Sequence, residues 1–356
     1  VRVMKKDEIV ESVCNPEEKD NKKASVIMGR KKRRQKKLVL MILLLLVTGV
    51  MLGTSTYAWF TSNKTVNVNN IKVNVAAQNG IQISVDGTSW KSIVQSDDIK
   101  GATAKYAAAV NQIPTAIEPV STVGKMGADG KMEMFHGVIG TNEGGDYILT
   151  ATKSVETPNN DTGKFIAFDL FFKVDENTDV YMTSTSGVKA DGDDKGIKNA
   201  SRMAFAVLGN TEAGAALADV QALNAGAASP VSIWEPNYDV HKAAAVAHAR
   251  DTYGITTTEN GADAIGYSGI KADITKENNV LVGNATAEKN ATLFDAVTPQ
   301  FKTTEGNTAQ FKFLSLTKGI TKVRVYMWVE GQDVDCENNA SGGNIDFNLQ
   351  ITTENQ

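Results

Sequence analysis

The chain has little of what builds covalent or catalytic frameworks. Its 356 residues include two cysteines, three histidines and seven prolines. Cys14 and Cys336 lie on opposite sides of a strongly apolar run, so export past that run leaves Cys336 alone and excludes a disulfide-stapled domain. That usage fits bacterial export better than a eukaryotic secretory protein. No His-Glu-x-x-His stretch offers a zinc peptidase site, and no Gly-x-Ser-x-Gly frames a nucleophilic serine. A Leu-Pro-x-Thr-Gly sorting motif is also missing, so sortase attachment is not expected.

The most pronounced feature runs from Arg30 to Phe60. Seven cationic residues, Arg30 to Arg34 with Lys36 and Lys37, precede an uncharged run from Leu38 to Phe60. A basic segment, an apolar segment and a small-residue exit make the pattern of a secretory signal, and the basic end stays in the cytoplasm. Two readings stand open. Thr56 and Ala58 supply the small residues a signal peptidase needs at −3 and −1, and cleavage would leave Trp59 as the new N-terminus. Uncut, Leu38–Phe60 has the about 20 residues that span a bilayer and would anchor the protein in the membrane. Residues 1–29 read as a cytoplasmic tail or an upstream extension, residues 30–58 as signal peptide or anchor, and residues 59–356 as one extracellular domain.

Charge narrows the partners. Residues 1–58 hold 13 Lys and Arg against 6 Asp and Glu, so a whole-chain charge of −4 leaves the other 298 residues at −11. An acidic ectodomain repels phosphate backbones, which argues against nucleic acid.

The exported part alternates apolar and polar residues as strands do. Trp59–Asp86 reads as a meander in which Val66 and Val68, then Ile71, Val73 and Val75 in shifted phase, then Ile81, Ile83 and Val85 alternate with polar neighbours. Shorter strands are expected at Lys131–His136, Tyr147–Thr152 and Arg202–Leu208. Phe165–Val174 has one fully apolar face and one mixed face, the pattern of a strand buried on one side and partly covered on the other. After the polar Asp175–Asn177 turn, Val180–Thr183 is expected to return antiparallel. Residues 211–293, Ala-rich and partly helical at Ala216–Leu223 and His241–Arg250 (with Asp239 as N-cap), read as insertions. Phe311–Leu316, a strand carrying Val323 to Val329 and a final strand from Ile345 to Ile351 close the chain. With strands at both ends of the exported part, pairing between the chain ends suits an all-β, jelly-roll-like sandwich.

Candidate sites are sparse. Asp333, Asp335 and Glu337 follow a strand at the 1, 3, 5 spacing of calcium loops, although positions 6 and 12 are Asn338 and Asn344 where Gly and Glu are usual. Calcium and a plain acidic hairpin loop both fit. Asp191, Asp193 and Asp194 form a second, poorer loop of this type. His241 and His248 share a face of the expected helix, but their acidic companions Asp239 and Asp251 form no recognised zinc spacing, so surface histidines are expected. Trp90, Trp234 and Trp328 could stack on a glycan, with packing the simpler account for Trp328 beside Tyr326. Cys336, beside acids, is expected to be unreactive.

The basic segment, the long apolar run, Gly53-Thr54-Ser55-Thr56-Tyr57-Ala58-Trp59-Phe60 and the strand that follows resemble precursors of TasA/camelysin-like surface proteins of Gram-positive bacteria. Trp328 to Cys336, followed by a Gly-Gly turn and an amphipathic strand, is similar to the ending of a related set of surface proteins. The resemblance covers the two ends of the chain. It implies an exported jelly-roll subunit, trimmed by signal peptidase, that polymerises with itself into biofilm-matrix fibres by lending its N-terminal strand to a neighbour. A membrane-tethered module binding a surface glycan or protein is the alternative, and a metallopeptidase, as camelysin relatives have been regarded, a weaker one. No enzyme activity and no cofactor beyond calcium is expected.

Overall fold

A computed structural model describes residues 66–67, 75–76, 80–141, 143, 147–158, 162–247, 267–275, 293–336 and 343–353. The segment 30–60, with Thr56, Ala58 and Trp59, lies outside the described residues, as do His248 and Glu337. Among the described residues no helix is long and apolar enough to cross a membrane.

In chain order the strands begin with β1 (Val66–Asn67), β2 (Val75–Ala76), β3 (Gln82–Ser84), β4 (Ile93–Val94), β5 (Asn111–Gln112), β6 (Ala116–Ile117) and β7 (Ser121–Met126). They continue with β8 (Met132–Thr141), β9 (Tyr147–Ser154), β10 (Ile166–Val174), β11 (Thr178–Met182), β12 (Gly187–Ala190), β13 (Ser201–Thr211) and β14 (Val231–Pro236). The last are β15 (Tyr267–Ile270), β16 (Phe294–Val297), β17 (Phe301–Thr303), β18 (Phe311–Leu316), β19 (Gly319–Val329), β20 (Ile345–Asn348) and β21 (Ile351–Thr352). Among the described residues there are also two short α-helices, α1 (Ser96–Lys100) and α2 (Leu217–Ala222), 3-10 turns at Ala102–Ala104 and Gly226–Ala228, and a helical stretch at 243–247. The fold is all-β in character.

A seven-stranded sheet in the order β17-β14-β13-β19-β10-β3, with β5 also on β10, forms the middle layer. Its centre is antiparallel: Phe168 pairs with Val325, and Phe205 pairs with Val325 from the other side. β17 joins β14 in parallel at one edge. On one face Phe168, Phe172, Phe205, Val323, Val325 and Met327 enter the main core, which is closed by β11, β18, β20 and β21. On the other face Ala167, Ala204, Tyr326 and Trp328 meet Met132 and Met134 of β8. Both faces are therefore covered, where partial cover was expected for the mixed one. Every residue of β19 is buried.

Several expectations are redrawn by this layering. β11 does not return against β10, whose neighbours are β19, β3 and β5; it crosses to the next layer and pairs antiparallel with β18 and β21. The final strand is divided: β20 pairs with β12 and β21 with β11, although Ile345, Phe347, Leu349 and Ile351 are all buried as their alternation predicts. Among the described residues the chain ends do not pair with each other, since β1 pairs with β6, β2 with β4 and β21 with β11. Within 211–293, β14 is a member of the central sheet and Trp234 is fully buried. Ile270, Ile274 and Phe294 make a small cluster of their own with Phe135 and Leu149 of the β8–β9 hairpin. At that contact a Cβ on Gly269 would lie 2.0 Å from the Thr122 carbonyl oxygen, so β15 approaches β7 only because the residue is glycine.

Burial of β19 forces its polar residues to find partners. Arg324 Nε and Nη2 donate to the two carboxylate oxygens of Asp169 at 2.7 and 3.2 Å, and Nη1 reaches Glu156 at 3.1 Å and the Gly130 carbonyl at 3.0 Å. Tyr326 donates to Glu156 at 2.6 Å and accepts from the Met132 amide at 3.2 Å. Lys322 donates to the Tyr106 hydroxyl and the Gln221 carbonyl, each at 2.8 Å. Burial raises the Glu156 carboxyl, and Arg324 and Tyr326 pull against it. Removing one member of such a buried set leaves charge uncompensated. Arg324→Met is expected to lower stability by about 3–5 kcal/mol in urea denaturation followed by tryptophan fluorescence. A loss below about 1 kcal/mol would mean that water reaches the cluster.

Candidate functional site

A second charged cluster forms where β13 starts, β14 ends and the chain leaves β19. Val329 ends its strand, and the backbone then makes two tight turns in which the Asp333 amide reaches the Glu330 carbonyl and the Cys336 amide reaches the Asp333 carbonyl. The Asp335 amide donates to Asp333 Oδ1 at 2.9 Å, an Asx-type bond that the Asp-x-Asp spacing encodes. From the other side comes the segment after β14. Asn237 takes φ of 55°, a conformation Asn tolerates, and its amide nitrogen is fixed on the Val188 and Lys198 carbonyls. That turn delivers His241 and Lys242 to the Asp335 carboxylate.

The geometry is compact. His241 Nδ1 is 2.7 Å from Asp335 Oδ2, and the Lys242 amide donates to Asp335 Oδ1 at 2.8 Å. Arg202, fully buried, donates through Nη2 to Asp333 Oδ2 at 2.5 Å and to Glu235 Oε1 at 2.6 Å. Its Nη1 holds the Asn199 and Ser201 carbonyls, both at 2.9 Å. Lys302 of β17 reaches Glu235 at 3.4 Å, and Lys242 and Lys198 reach Asp194 at 3.0 and 3.1 Å. Lys198 also pairs with Glu305. Among the described residues, His241, Asp333 and Asp335 are a group whose ligand atoms lie within 4.8 Å of one another, an arrangement able to hold a metal ion.

Electrostatics favour retained protons. Burial alone would lower the His241 imidazolium, but the bond to Asp335 and the charge of Asp333 overcome it and raise its pKa. Burial and Asp333 push the Asp335 carboxyl up to about 6, with His241 opposing. Glu330, buried beside the Trp328 indole and the Gln332 amide, is pushed up to about 7 by burial against those hydrogen bonds.

Asp333 and Asp335 are thus buried side chains with partners, not an exposed acidic hairpin loop. Their partners are 131 and 94 residues away in the chain. His241 is likewise buried, against the expectation of a surface histidine, and Asp239 caps no helix: its carboxylate accepts from the Glu305 amide at 2.8 Å. Residues 243–247 are helical. The His136 ring contacts the Pro119 carbonyl and Glu118, and burial lowers its pKa. Trp234 and Trp328 are inside and cannot stack on a glycan, whereas Trp90 is half-buried with Lys173 Nζ 5.6 Å from its ring centre. Cys336 is buried in the main core. Arg202 and Glu235 had no sequence signal beyond a charge inside or beside an apolar run.

A surface cleft of about 330 Å³ shares no residue with this cluster. It is lined by Asp86, Asp97, Lys91, Asp98 and Lys105, among which Lys91 pairs with Asp98, and Asp86 is engaged by the Thr88 and Ser89 amides.

The raised Glu330 carboxyl has a definite sign. Its folded pKa of about 7 lies above the ordinary 4.5, so the folded state keeps a proton that the unfolded chain releases, and stability falls as pH rises between those values. The full contribution is on the order of 3 kcal/mol. Glu330→Gln is expected to flatten this part of the stability profile between pH 5 and 8, measured by denaturant titration at each pH; an unchanged slope would mean that Glu330 is ionised throughout. No protein-family model matches the chain, and no curated protein or solved structure matches it either.

Proposed function

We propose that this is an exported structural protein of a bacterial cell surface, a self-associating fibre or biofilm-matrix subunit without enzymatic activity. The observation that carries the reading is where the charged clusters lie. Asp169–Arg324–Glu156 and Arg202–Glu235–Asp333 are internal and mutually partnered, fastening sheets and turns in the manner of a load-resisting scaffold. The basic and apolar segments before Trp59 supply the route outward. The central sheet against β11–β18–β21 and β12–β20 is read as a jelly-roll-like sandwich, with the β7–β8–β9 layer added to its other face.

Strand pairing near the exported N-terminus supports assembly through it. Among the described residues, Val66–Asn67 pair with Ala116–Ile117 and Val75–Ala76 with Ile93–Val94, and an open sheet edge of another copy could offer the same main-chain partners. Native material is expected to begin at Trp59 by intact mass. Protein beginning there should form filaments under the electron microscope, and a form lacking Trp59–Val75 should not. Filaments from both forms would refute the N-terminal strand as the joint. Monodisperse particles from the longer form, or an uncut Leu38–Phe60, would favour the tethered binding module.

A further inference from the structure

We propose that the turn after β19 and the segment after β14 together form a binding site for a divalent transition-metal ion, with His241 Nδ1, Asp335 Oδ2 and a carboxylate oxygen of Asp333 as ligands and Zn²⁺ as the ion that fits. The three side chains come from two separate segments and converge to within 4.8 Å. They are 7, 2 and 5 % exposed respectively, so the site is shielded in a way that surface acidic clusters are not.

Each carboxylate is already oriented from outside. Arg202 holds Asp333 Oδ2 and the Lys242 amide holds Asp335 Oδ1, which is the outer-partner arrangement that fixes ligating carboxylates in metal centres. The oxygen left to Asp335, Oδ2, faces His241 Nδ1 across 2.7 Å. A nitrogen and an oxygen held this close, with the Asp333 carboxylate beside them, bring three ligand atoms within 4.8 Å of one another. Arg202 is shared between Glu235 and Asp333, and Lys302 also reaches Glu235.

A buried imidazole kept for hydrogen bonding alone normally satisfies both ring nitrogens. His241 Nε2, on the side of the ring away from Asp335, is closed off from solvent and has no hydrogen-bond partner, so the imidazole makes its polar contact through Nδ1. The region holds more buried polar capacity than its protein hydrogen bonds use.

Ligand chemistry selects the ion. Ca²⁺ takes about six to eight oxygen ligands and has no preference for imidazole. Zn²⁺ accepts one imidazole nitrogen and two carboxylate oxygens at about 2.0–2.2 Å, with a fourth position for water. The site is assigned no reaction.

The test uses the full chain, stripped with chelator, dialysed and titrated with Zn²⁺ in a calorimeter. One equivalent is expected to bind, and His241→Gln and Asp335→Asn should each weaken binding by at least the about 10–100-fold that loss of an outer partner costs. His136→Gln should leave it unchanged. Circular dichroism on each variant separates loss of a ligand from loss of fold. If both ligand variants unfold, the wild-type protein decides by itself: Co²⁺ should give the intense visible absorption of a four-coordinate ion, displaced by Zn²⁺. Absence of stoichiometric Zn²⁺ binding, survival of binding in both folded ligand variants, or a Co²⁺ spectrum that is only that of the aqueous ion would overturn the assignment. One equivalent of Ca²⁺ that Zn²⁺ does not displace would overturn it as well, since an imidazole ligand would then have no part.

Discussion

Complete burial of β19 is the constraint on which the remainder of the structure depends. A strand in a two-layer sandwich can send its polar side chains outward, but here a second layer covers that outward face. Lys322, Arg324 and Tyr326 therefore cannot be left to water. Arg324 joins Asp169 of the neighbouring strand to Glu156 at the end of the β8–β9 hairpin, and Tyr326 binds Glu156 and the Met132 amide. The ionic set is thus a fastener between the central sheet and the hairpin layer. Without it the β8–β9 hairpin would meet the sheet chiefly through apolar contacts such as those of Met132 and Met134.

The same strand governs the second cluster. Once Val329 has entered the core, the chain must turn at the margin of the sheet, where the starts and ends of β13 and β14 already lie. Glu330 is drawn inside, its amide on the Ala200 carbonyl, and the Asp-x-Asp turn meets Arg202 from below the sheet edge and His241 from the returning segment. Four separate stretches of chain, around residues 194–202, 235–242, 302–305 and 330–336, are tied by these contacts. A set of side chains arranged to hold loops together is also one arranged to be disturbed or reinforced by a bound cation.

Strand content was legible because alternation is a local signal. Ile166 to Val174, Val323 to Val329 and Ile345 to Ile351 each announce a face, and those faces are buried. Layering was not legible, because the mixed face of Phe165–Val174 reads as half-exposed unless one knows that a hairpin 30 residues earlier folds over it. For the same reason 211–293 read as insertion: its apolar residues are too few to form a core alone, yet Trp234, Ile270 and Ile274 each complete a core begun elsewhere. The acidic turn was found but misplaced. Asp333 and Asp335 look solvated because isolated acids usually are, and nothing near them in sequence announces Arg202 or His241.

Buried charge of this kind also fixes register, which apolar alternation alone specifies only to within a two-residue slip. A slip of one residue between β10 and β19 would turn Arg324 into the main core and Val325 out of it, a cost that both the valines and the arginine oppose. A slip of two would keep the valines inside and restore a plausible apolar face. It would, however, carry Arg324 away from Asp169 and break its two-pronged pair, which Lys322 or Tyr326, the residues that would then face Asp169, cannot reproduce. Only the observed register satisfies the hydrophobic pattern and the ion pair together. In a chain of long-range antiparallel pairings, in which neighbouring strands of the central sheet are separated by many residues, that discrimination narrows the registers in which the strands can settle. The polar residues on β19 are in this sense the part of the strand that tells it where to stop sliding.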